Sequence, residues 1–145
     1  RRHVITLKSG GKAVVIDESY NANPASMKAT LQHFTVEPCS GQKIAILGAM
    51  GELGEQSAQF HAALADDILH CGMDAVILVG EYMAHTAAKL EHGLDQGVKM
   101  SHAESASEAL SEVAKLIGDG DVILIKGSNY LGLSSAVSAL VNGEY

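Results

Sequence analysis

The stretch VVIDESYNANPASM, residues 14–27, changes character abruptly at Asp17. Residues 14–16 are apolar and predict a buried strand, whereas residues 17–23 are polar and predict the loop that leaves its carboxyl end. Pro24 suits the first turn of a helix, where a missing amide hydrogen is tolerated. The stretch therefore predicts a strand, a polar loop and a helix, which together form one unit of an open α/β sheet.

A polar loop after a buried strand is also a common place for a ligand. In open α/β sheets, small molecules bind beyond the carboxyl ends of the strands, where rigidly held side chains can contact hydroxyls and base edges. Asp17 and Asn23 fit that role, and they also fit the roles of turn residue and helix N-cap. Glu18 follows Asp17, but neighbours on a strand point to opposite faces, so the two carboxylates do not predict a shared metal site.

Composition predicts a single domain over residues 1–145. A chain of 145 residues is long enough for one hydrophobic core and short for two. Hydrophobic residues make up 47% and aromatic residues only 4%, as expected for parallel strands of aliphatic residues covered by helices. The net charge of -7 argues against nucleic acid and anionic membranes as partners. Cys39 and Cys71 are too few for a disulfide framework and predict a reducing compartment.

The amino-terminal segment RRHVITLKSGG, residues 1–11, has too short an apolar run for a signal peptide. No run in the sequence approaches membrane-spanning length, so a cytoplasmic protein is expected. The sequence also begins without methionine, on a predicted strand, which suggests a domain of a longer chain.

Strand and helix patterns alternate along the rest of the chain. An amino-terminal hairpin is predicted from strands over residues 3–8 and 13–16. Further strands are predicted over residues 44–47, 75–79, 98–100 and 121–125, and helices over residues 24–34, 55–71, 82–90, 106–117 and 131–141, with Gly93 as a helix stop. The alternation predicts a Rossmann-like three-layer α/β sandwich whose sheet is mostly parallel, with an antiparallel amino-terminal hairpin.

Two glycine-containing loops follow predicted strands, but neither has the residues of a phosphate-binding motif. The glycines at 48, 51 and 54 are spaced GxxGxxG rather than GxGxxG, so we assign them to tight turns. Gly127 and Gly132 have the spacing of a P-loop, but the lysine that should follow is missing and Lys126 precedes the loop instead. Lys126 suits an anionic or carboxylate ligand, or else is an exposed lysine.

The order of residues predicts no metal site and no catalytic residue. The seven histidines show no HExxH or comparable spacing. Asp67 and His70 lie three residues apart on a predicted helix, which favours a surface pair over half of a metal site. No Ser-His-Asp or Cys-His set can be assigned either.

Three segments resemble the C-terminal domain of the Mur ligases, in the same order and at similar distances. IDESYNANPASM, residues 16–27, is similar to the DDSYNANP-type motif of the branch that adds D-alanyl-D-alanine to UDP-N-acetylmuramoyl-tripeptide. IAILGAMGELG, residues 44–54, is similar to the strand and GDMxELG motif of that family, and VILIKGS, residues 122–128, to its late strand and KGS. The resemblance covers nearly the whole chain.

The resemblance implies site residues in two loops. It assigns nucleotide binding, with the ribose contact at the first position, to Asp17, Tyr20, Asn21 and Asn23. It assigns the substrate side, where the incoming dipeptide enters, to Lys126, Ser128 and Asn129. His61 falls where the family often carries a histidine, and we assign it no role beyond a hydrogen bond on its helix. Arg1 is either the nucleotide arginine of the family or the residue after it.

Two positions depart from the pattern of the family. Ala49 stands where GDMxELG has aspartate, so any role of that carboxylate is absent here. Asn129 stands where many members have arginine in KGSR. An amide can hydrogen-bond a substrate carboxylate but cannot pair its charge, so charge pairing is lost at this position.

The resemblance implies that the parent protein is an ATP-dependent amide ligase of peptidoglycan precursor synthesis. Its substrates would be UDP-N-acetylmuramoyl-tripeptide and D-alanyl-D-alanine, joined through an acyl phosphate. ATP and Mg²⁺ would be held mainly by a central domain with the Walker A lysine and a carbamylated lysine, so this chain alone is expected to be inactive. It is also expected to be a monomer. Two alternatives stay open: the matching domain of a folylpolyglutamate or cyanophycin synthetase relative, and a non-enzymatic nucleotide-binding module of flavodoxin-like shape.

Overall fold

A six-stranded mixed sheet forms the centre of the computed structural model, which describes residues 1–91 and 97–145. The strands are β1 (Arg2–Thr6), β2 (Lys12–Glu18), β3 (Lys43–Gly48), β4 (Ala75–Val79), β5 (Lys99–Ala103) and β6 (Val122–Lys126). Their order is β1-β2-β6-β3-β4-β5, in which β1 pairs antiparallel with β2 and every other pair is parallel. The predicted mostly parallel sheet with an amino-terminal hairpin is confirmed.

Helices cover both faces of the sheet. They are α1 (Pro24–Thr35), α2 (Ser57–His70), α3 (Ala84–Leu90), α4 (Ala106–Leu116) and α5 (Ser134–Asn142). Apolar side chains of α1, α2 and α3 pack on one face, and those of α4 and α5 pack on the other. The predicted three-layer sandwich is therefore confirmed. Within the described residues, no helix combines the length and the apolar character needed to cross a bilayer.

The interior of the sheet explains the continuous apolar runs of the sequence. Every residue of β4 and of β6 is buried. Along β3, Ile44 and Ile46 enter the core under α4 and α5, whereas Ala45 and Leu47 enter the core under α1, α2 and α3. Successive side chains of a strand point to opposite faces, so a strand covered on both sides is apolar along its length; the exception here is Lys126, the last residue of β6.

Several element boundaries differ from the sequence prediction. β2 continues through Asp17 and Glu18, because these residues pair with Ile125 and Lys126 of β6. The helices predicted from residues 55, 82 and 131 begin instead with 3₁₀ turns, at Gly54–Gln56, Glu81–Met83 and Asn129–Leu131. The predicted helix stop at Gly93 lies outside the described residues. Strand pairing across the sheet extends β2, and local sequence does not record such pairing.

Gly48 and Gly127 allow the ends of β3 and β6 to approach closely. A Cβ atom on Gly48 would lie 2.6 Å from Cδ1 of Leu131, and one on Gly127 would lie 2.6 Å from Cδ1 of Leu133 and 3.0 Å from Cα of Gly48. A side chain at either position would displace the leucine side chains of the β6–α5 loop and press against the backbone of the neighbouring strand end. Gly48 was predicted to serve a tight turn, and it serves close packing instead.

Asp121 is a buried carboxylate at the amino edge of the sheet, where it precedes β6. The residue is 2% exposed. Its Oδ1 accepts the backbone N–H of Gln42 at 2.7 Å, and its Oδ2 accepts the backbone N–H of Gly118 at 2.7 Å. Asp121 therefore joins the loop before β3 to the loop before β6 through charge-assisted hydrogen bonds.

We expect Asp121→Ala to lower the free energy of unfolding by about 2–4 kcal/mol, because two amide donors lose a charged acceptor in a buried position. Urea denaturation followed by circular dichroism measures this change. Glu112→Gln is the matched control, since Glu112 meets Lys115 at 3.3 Å on a helix surface and its loss should cost less than about 0.5 kcal/mol. Equal losses in the two variants would contradict the structural role of Asp121.

Candidate functional site

Three loops meet at the carboxyl edge of the sheet, because β2, β6 and β3 are parallel neighbours in that order. They are the β2–α1 loop (residues 19–23), the β6–α5 loop (residues 127–133) and the β3–α2 loop (residues 49–53). The β6–α5 loop lies between the other two. Ligands of open α/β sheets bind at such an edge, and every candidate residue taken from the sequence lies at or beside it.

Lys126 ends β6 beneath these loops and is only 3% exposed. Its Nζ donates a hydrogen bond to the carbonyl oxygen of Asn21 at 2.9 Å. Burial lowers the pKa of the Lys126 ammonium, and the negative charge of Glu18, its partner in the strand register, acts in the opposite direction. The alternative of an exposed lysine is therefore wrong, because residue 126 lies in a central strand.

Ser128 contacts all three loops. Its Oγ accepts the backbone N–H of Gly51 at 2.8 Å and lies 3.5 Å from the carbonyl oxygen of Ala22. Its own backbone N–H points to the carbonyl oxygen of Ala49 at 3.4 Å. Ser128 is 9% exposed, whereas Asn129 beside it is exposed. Of the predicted substrate-side residues, Lys126 and Ser128 thus hold backbone in place, and Asn129 faces solvent.

Asp17 makes a local turn at the end of β2. Its Oδ1 accepts the backbone N–H of Ser19 at 3.0 Å and the hydroxyl of the same residue at 2.6 Å. The backbone N–H of Asp17 donates to the carbonyl oxygen of Arg1 at 2.7 Å, so Arg1 lies beside the predicted nucleotide loop. Glu18 lines a cavity on the α1 face of the sheet and accepts the hydroxyl of Tyr20 at 2.9 Å.

The other predicted nucleotide residues lie on the exposed side of the β2–α1 loop. Tyr20 is 63% exposed, and its hydrogen bond to Glu18 raises the pKa of the phenol. Asn21 and Asn23 are exposed as well. Asn23 caps α1, since its side chain accepts the N–H of Ser26 at 2.8 Å in a capping box. The local roles of Asp17 and Asn23 are thus present, and their nucleotide contacts remain a prediction.

His61 is a buried residue of this edge for which the sequence predicted only a hydrogen bond on its helix. Its Nδ1 lies 2.7 Å from the carbonyl oxygen of Ser57, one turn earlier in α2, and its Nε2 lies 2.9 Å from the backbone N of Met50. The carbonyl can only accept, so Nδ1 carries the proton and Nε2 accepts the N–H of Met50. Burial lowers the pKa of His61, which favours this neutral form.

Two further sequence expectations concern Ala49 and the pair Asp67 and His70. Ala49 is fully buried, and its N–H donates to the carbonyl oxygen of Val79 at 2.9 Å. The predicted Asp67–His70 pair is not among the ion pairs of the described residues. Instead, Nδ1 of His70 donates to the carbonyl oxygen of Asp66 at 2.7 Å, on the exposed side of α2.

The charges of the edge loops limit which part of a ligand they can hold. Residues 19–23, 49–53 and 127–133 contain no lysine or arginine, and the ammonium of Lys126 is buried against a carbonyl. The exposed polar side chains of these loops are hydroxyls, amides and the carboxylate of Glu52, which suit sugar hydroxyls and base edges better than a triphosphate. Within residues 1–91 and 97–145, no group of three or more His, Cys, Asp or Glu residues is placed to hold a metal ion.

Comparisons with known proteins agree on the family. The model of the family described as "Mur ligase, glutamate ligase domain" matches residues 1–129. The UDP-N-acetylmuramoyl-tripeptide--D-alanyl-D-alanine ligase of Mycobacterium leprae is 31% identical over 156 residues, which cover 97% of this chain and 30% of that protein. The chain therefore spans about a third or less of the length of the curated relatives that it matches.

Solved structures show the same fold. MurF from Acinetobacter baumannii aligns with a TM-score of 0.74 and 26% identity, over 97% of this chain and 29% of that one. The MurF ligase of Thermotoga maritima, solved in complex with ADP, aligns with a TM-score of 0.70 and 22% identity, over 98% of this chain and 30% of that one. Together with the match over residues 1–129, the fold shows that this chain belongs to the Mur ligase family and forms its glutamate ligase domain, the C-terminal domain of these enzymes.

Proposed function

We propose that this chain is the C-terminal domain of a cytoplasmic ligase that adds D-alanyl-D-alanine to UDP-N-acetylmuramoyl-tripeptide in peptidoglycan precursor synthesis, using ATP and Mg²⁺. The curated relatives that carry this name are 30–33% identical to the chain over 85–97% of its length. The observation that carries the proposal is the site itself, in which two candidate ligand loops meet at one edge, joined by Lys126 and Ser128. We expect the domain to be a monomer that contacts neither nucleic acid nor membrane.

We assign Asp17, Tyr20, Asn21 and Asn23 to the ribose and base of ATP. Both donors of Ser19 contact Oδ1 of Asp17, so Oδ2 is the oxygen that we assign to a ribose hydroxyl. The side chains of Tyr20, Asn21 and Asn23 are exposed beside it. Because the edge loops contain no lysine or arginine, we assign the phosphates and Mg²⁺ to the remainder of the parent protein.

We assign the incoming dipeptide to the β6–α5 loop. Asn129 is exposed there, and its amide can hydrogen-bond a carboxylate without pairing its charge. Lys126 and Ser128 are buried under the loop, so their contribution is to hold Asn129 relative to the β2–α1 loop. A domain of this kind supplies position and specificity to a reaction whose catalytic groups lie elsewhere.

The proposed reaction forms one amide bond. A carboxylate oxygen of the tripeptide takes the γ-phosphoryl group of ATP, and ADP leaves. The amine of the dipeptide then attacks the acyl carbon, phosphate leaves as the C–N bond forms, and the amine loses a proton. Positioning the amine against the acyl phosphate is the step to which the edge loops of this chain would contribute.

The 145-residue chain alone should release no phosphate from ATP, because it has no P-loop lysine and no basic residue in its edge loops. A phosphate-release assay of the purified chain with ATP tests this. The full-length parent, assayed with ATP and both substrates, is the positive control. Turnover by the chain above background, lost on substituting Asp17 by Asn, would overturn the assignment of the phosphates to the rest of the parent.

In the full-length parent, Asp17→Asn should raise KM for ATP about tenfold, because the ribose hydroxyls lose a charged acceptor. Asparagine keeps Oδ1 as an acceptor for the N–H of Ser19, so the turn should survive. Steady-state kinetics at saturating tripeptide and dipeptide give KM, and thermal unfolding of the same sample gives Tm.

Ser19→Ala is the matched control, since it removes a hydrogen bond to the same carboxylate but leaves the charge in place. Its KM for ATP should stay within about twofold of the wild-type value. If the two variants raise KM equally, or if Asp17→Asn lowers Tm and leaves KM unchanged, then Asp17 is a turn residue and the nucleotide assignment is wrong.

A further inference from the structure

The β3–α2 loop contains a backbone amide that depends on a single side chain. Met50 is 1% exposed, so its N–H is buried and needs an acceptor within the protein. That acceptor is Nε2 of His61 at 2.9 Å. The imidazole is itself held, because its Nδ1 donates to the carbonyl oxygen of Ser57. His61 thus connects the body of α2 to the loop that precedes it.

The next residues of the loop are held in an unusual conformation. The N–H of Gly51 donates to Oγ of Ser128 at 2.8 Å, which places the loop against the β6–α5 loop. Glu52 follows with a φ of 59°, the one non-glycine residue with positive φ among the described residues. A residue persists in such a conformation only where its surroundings determine it, and the anchors at Met50 and Gly51 immediately precede it.

His61 also contacts the outer rim of the same edge. The ring of Tyr82, which is 47% exposed, stacks on the imidazole with the centroids 5.5 Å apart. The backbone carbonyl of His61 accepts the hydroxyl of Thr86 from α3 at 2.7 Å. The histidine is therefore in contact with the β3–α2 loop, α2, α3 and an exposed aromatic ring.

We propose that His61 is a positioning residue for the dipeptide side of the site: by holding the N–H of Met50, it fixes the β3–α2 loop against Ser128 and so sets the β6–α5 loop that presents Asn129. The functional half of this inference rests on the proposed ligase activity. The structural half, that His61 anchors the loop, stands on the hydrogen bonds alone.

Two substitutions distinguish the hydrogen bond from His61 to the N–H of Met50 from a role of His61 in packing alone. His61→Phe keeps an aromatic ring to pack against Tyr82 but has no acceptor for Met50. His61→Gln can offer Oε1 to the N–H of Met50 and its amide N–H to the carbonyl of Ser57, which restores both hydrogen bonds. A purely space-filling role would make phenylalanine the milder change, whereas the anchor makes glutamine the milder one.

The first measurement is amide hydrogen exchange on the 145-residue chain. In His61→Phe the amides of Met50 and Gly51 should exchange at least about tenfold faster than in the wild type, while in His61→Gln they stay protected. The amide of Ile46, in the central strand β3 between β4 and β6, serves as the reference for global opening. Protected Met50 and Gly51 amides in His61→Phe, or equal acceleration of all three amides, would overturn the anchor.

The second measurement is steady-state kinetics of the full-length parent. His61→Phe should lower kcat/KM for the dipeptide by about tenfold to a hundredfold, while KM for ATP changes by less than about threefold, and His61→Gln should recover most of the loss. An unchanged kcat/KM for the dipeptide in His61→Phe, or a loss that glutamine does not recover, overturns the positioning role.

The two measurements also separate this inference from the proposed function. If the wild-type parent does not join the dipeptide to the tripeptide, the proposed function fails and the positioning role falls with it, whereas the exchange rates still decide whether His61 anchors the loop. If His61→Phe does not fold, both the exchange and the kinetic measurements are made on His61→Gln. Rapid exchange of Met50 and Gly51 with glutamine in place would then overturn the anchor.

Discussion

The carboxyl edge of this domain depends on one constraint: backbone groups that are buried or partly buried beyond the last paired residue of a strand still need hydrogen-bond partners. Side chains supply them here. The ammonium of Lys126 satisfies the carbonyl of Asn21, the hydroxyl of Ser128 satisfies the N–H of Gly51, and the imidazole of His61 satisfies the N–H of Met50. Three residue types that often carry chemistry are therefore used to hold backbone, and the three loops of the edge are held together as a result.

Within the site, the residues that hold the loops together differ from those that are exposed for contact with a ligand. The residues that join the loops are buried, whereas Tyr20, Asn21, Asn23 and Asn129 are exposed on the same loops. The exposed groups of the β2–α1 and β6–α5 loops are uncharged, and the ammonium of Lys126 is engaged with the carbonyl of Asn21. Under the proposed function, this surface would contact the nucleotide and the dipeptide while the rest of the parent protein holds the phosphates.

Alternating strand and helix patterns were sufficient to predict the fold, because parallel strands covered on both faces leave apolar runs such as residues 122–125 that need no long-range information. The candidate loops were also predicted, from turn residues after strands and from the family motifs. The burial and the contact partners of individual side chains were not predicted. Lys126 contacts a carbonyl 105 residues earlier, and Asp17 lies in β2 because of its pairing with β6. The contact of His61 with Met50 spans only 11 residues, but it crosses a loop whose course no local pattern specifies.

The place of β6 in the sheet has a consequence for the newly made protein. This strand is the last of the six in sequence, yet it lies between β2 and β3 and pairs with both. Until residues 122–126 have left the ribosome, β2 and β3 have open edges and cannot be neighbours in the native sheet. A nascent chain at that stage exposes apolar strand edges of the kind that chaperones bind and that aggregate readily. The edge loops therefore come together only after translation has passed the last strand, however quickly the earlier elements form.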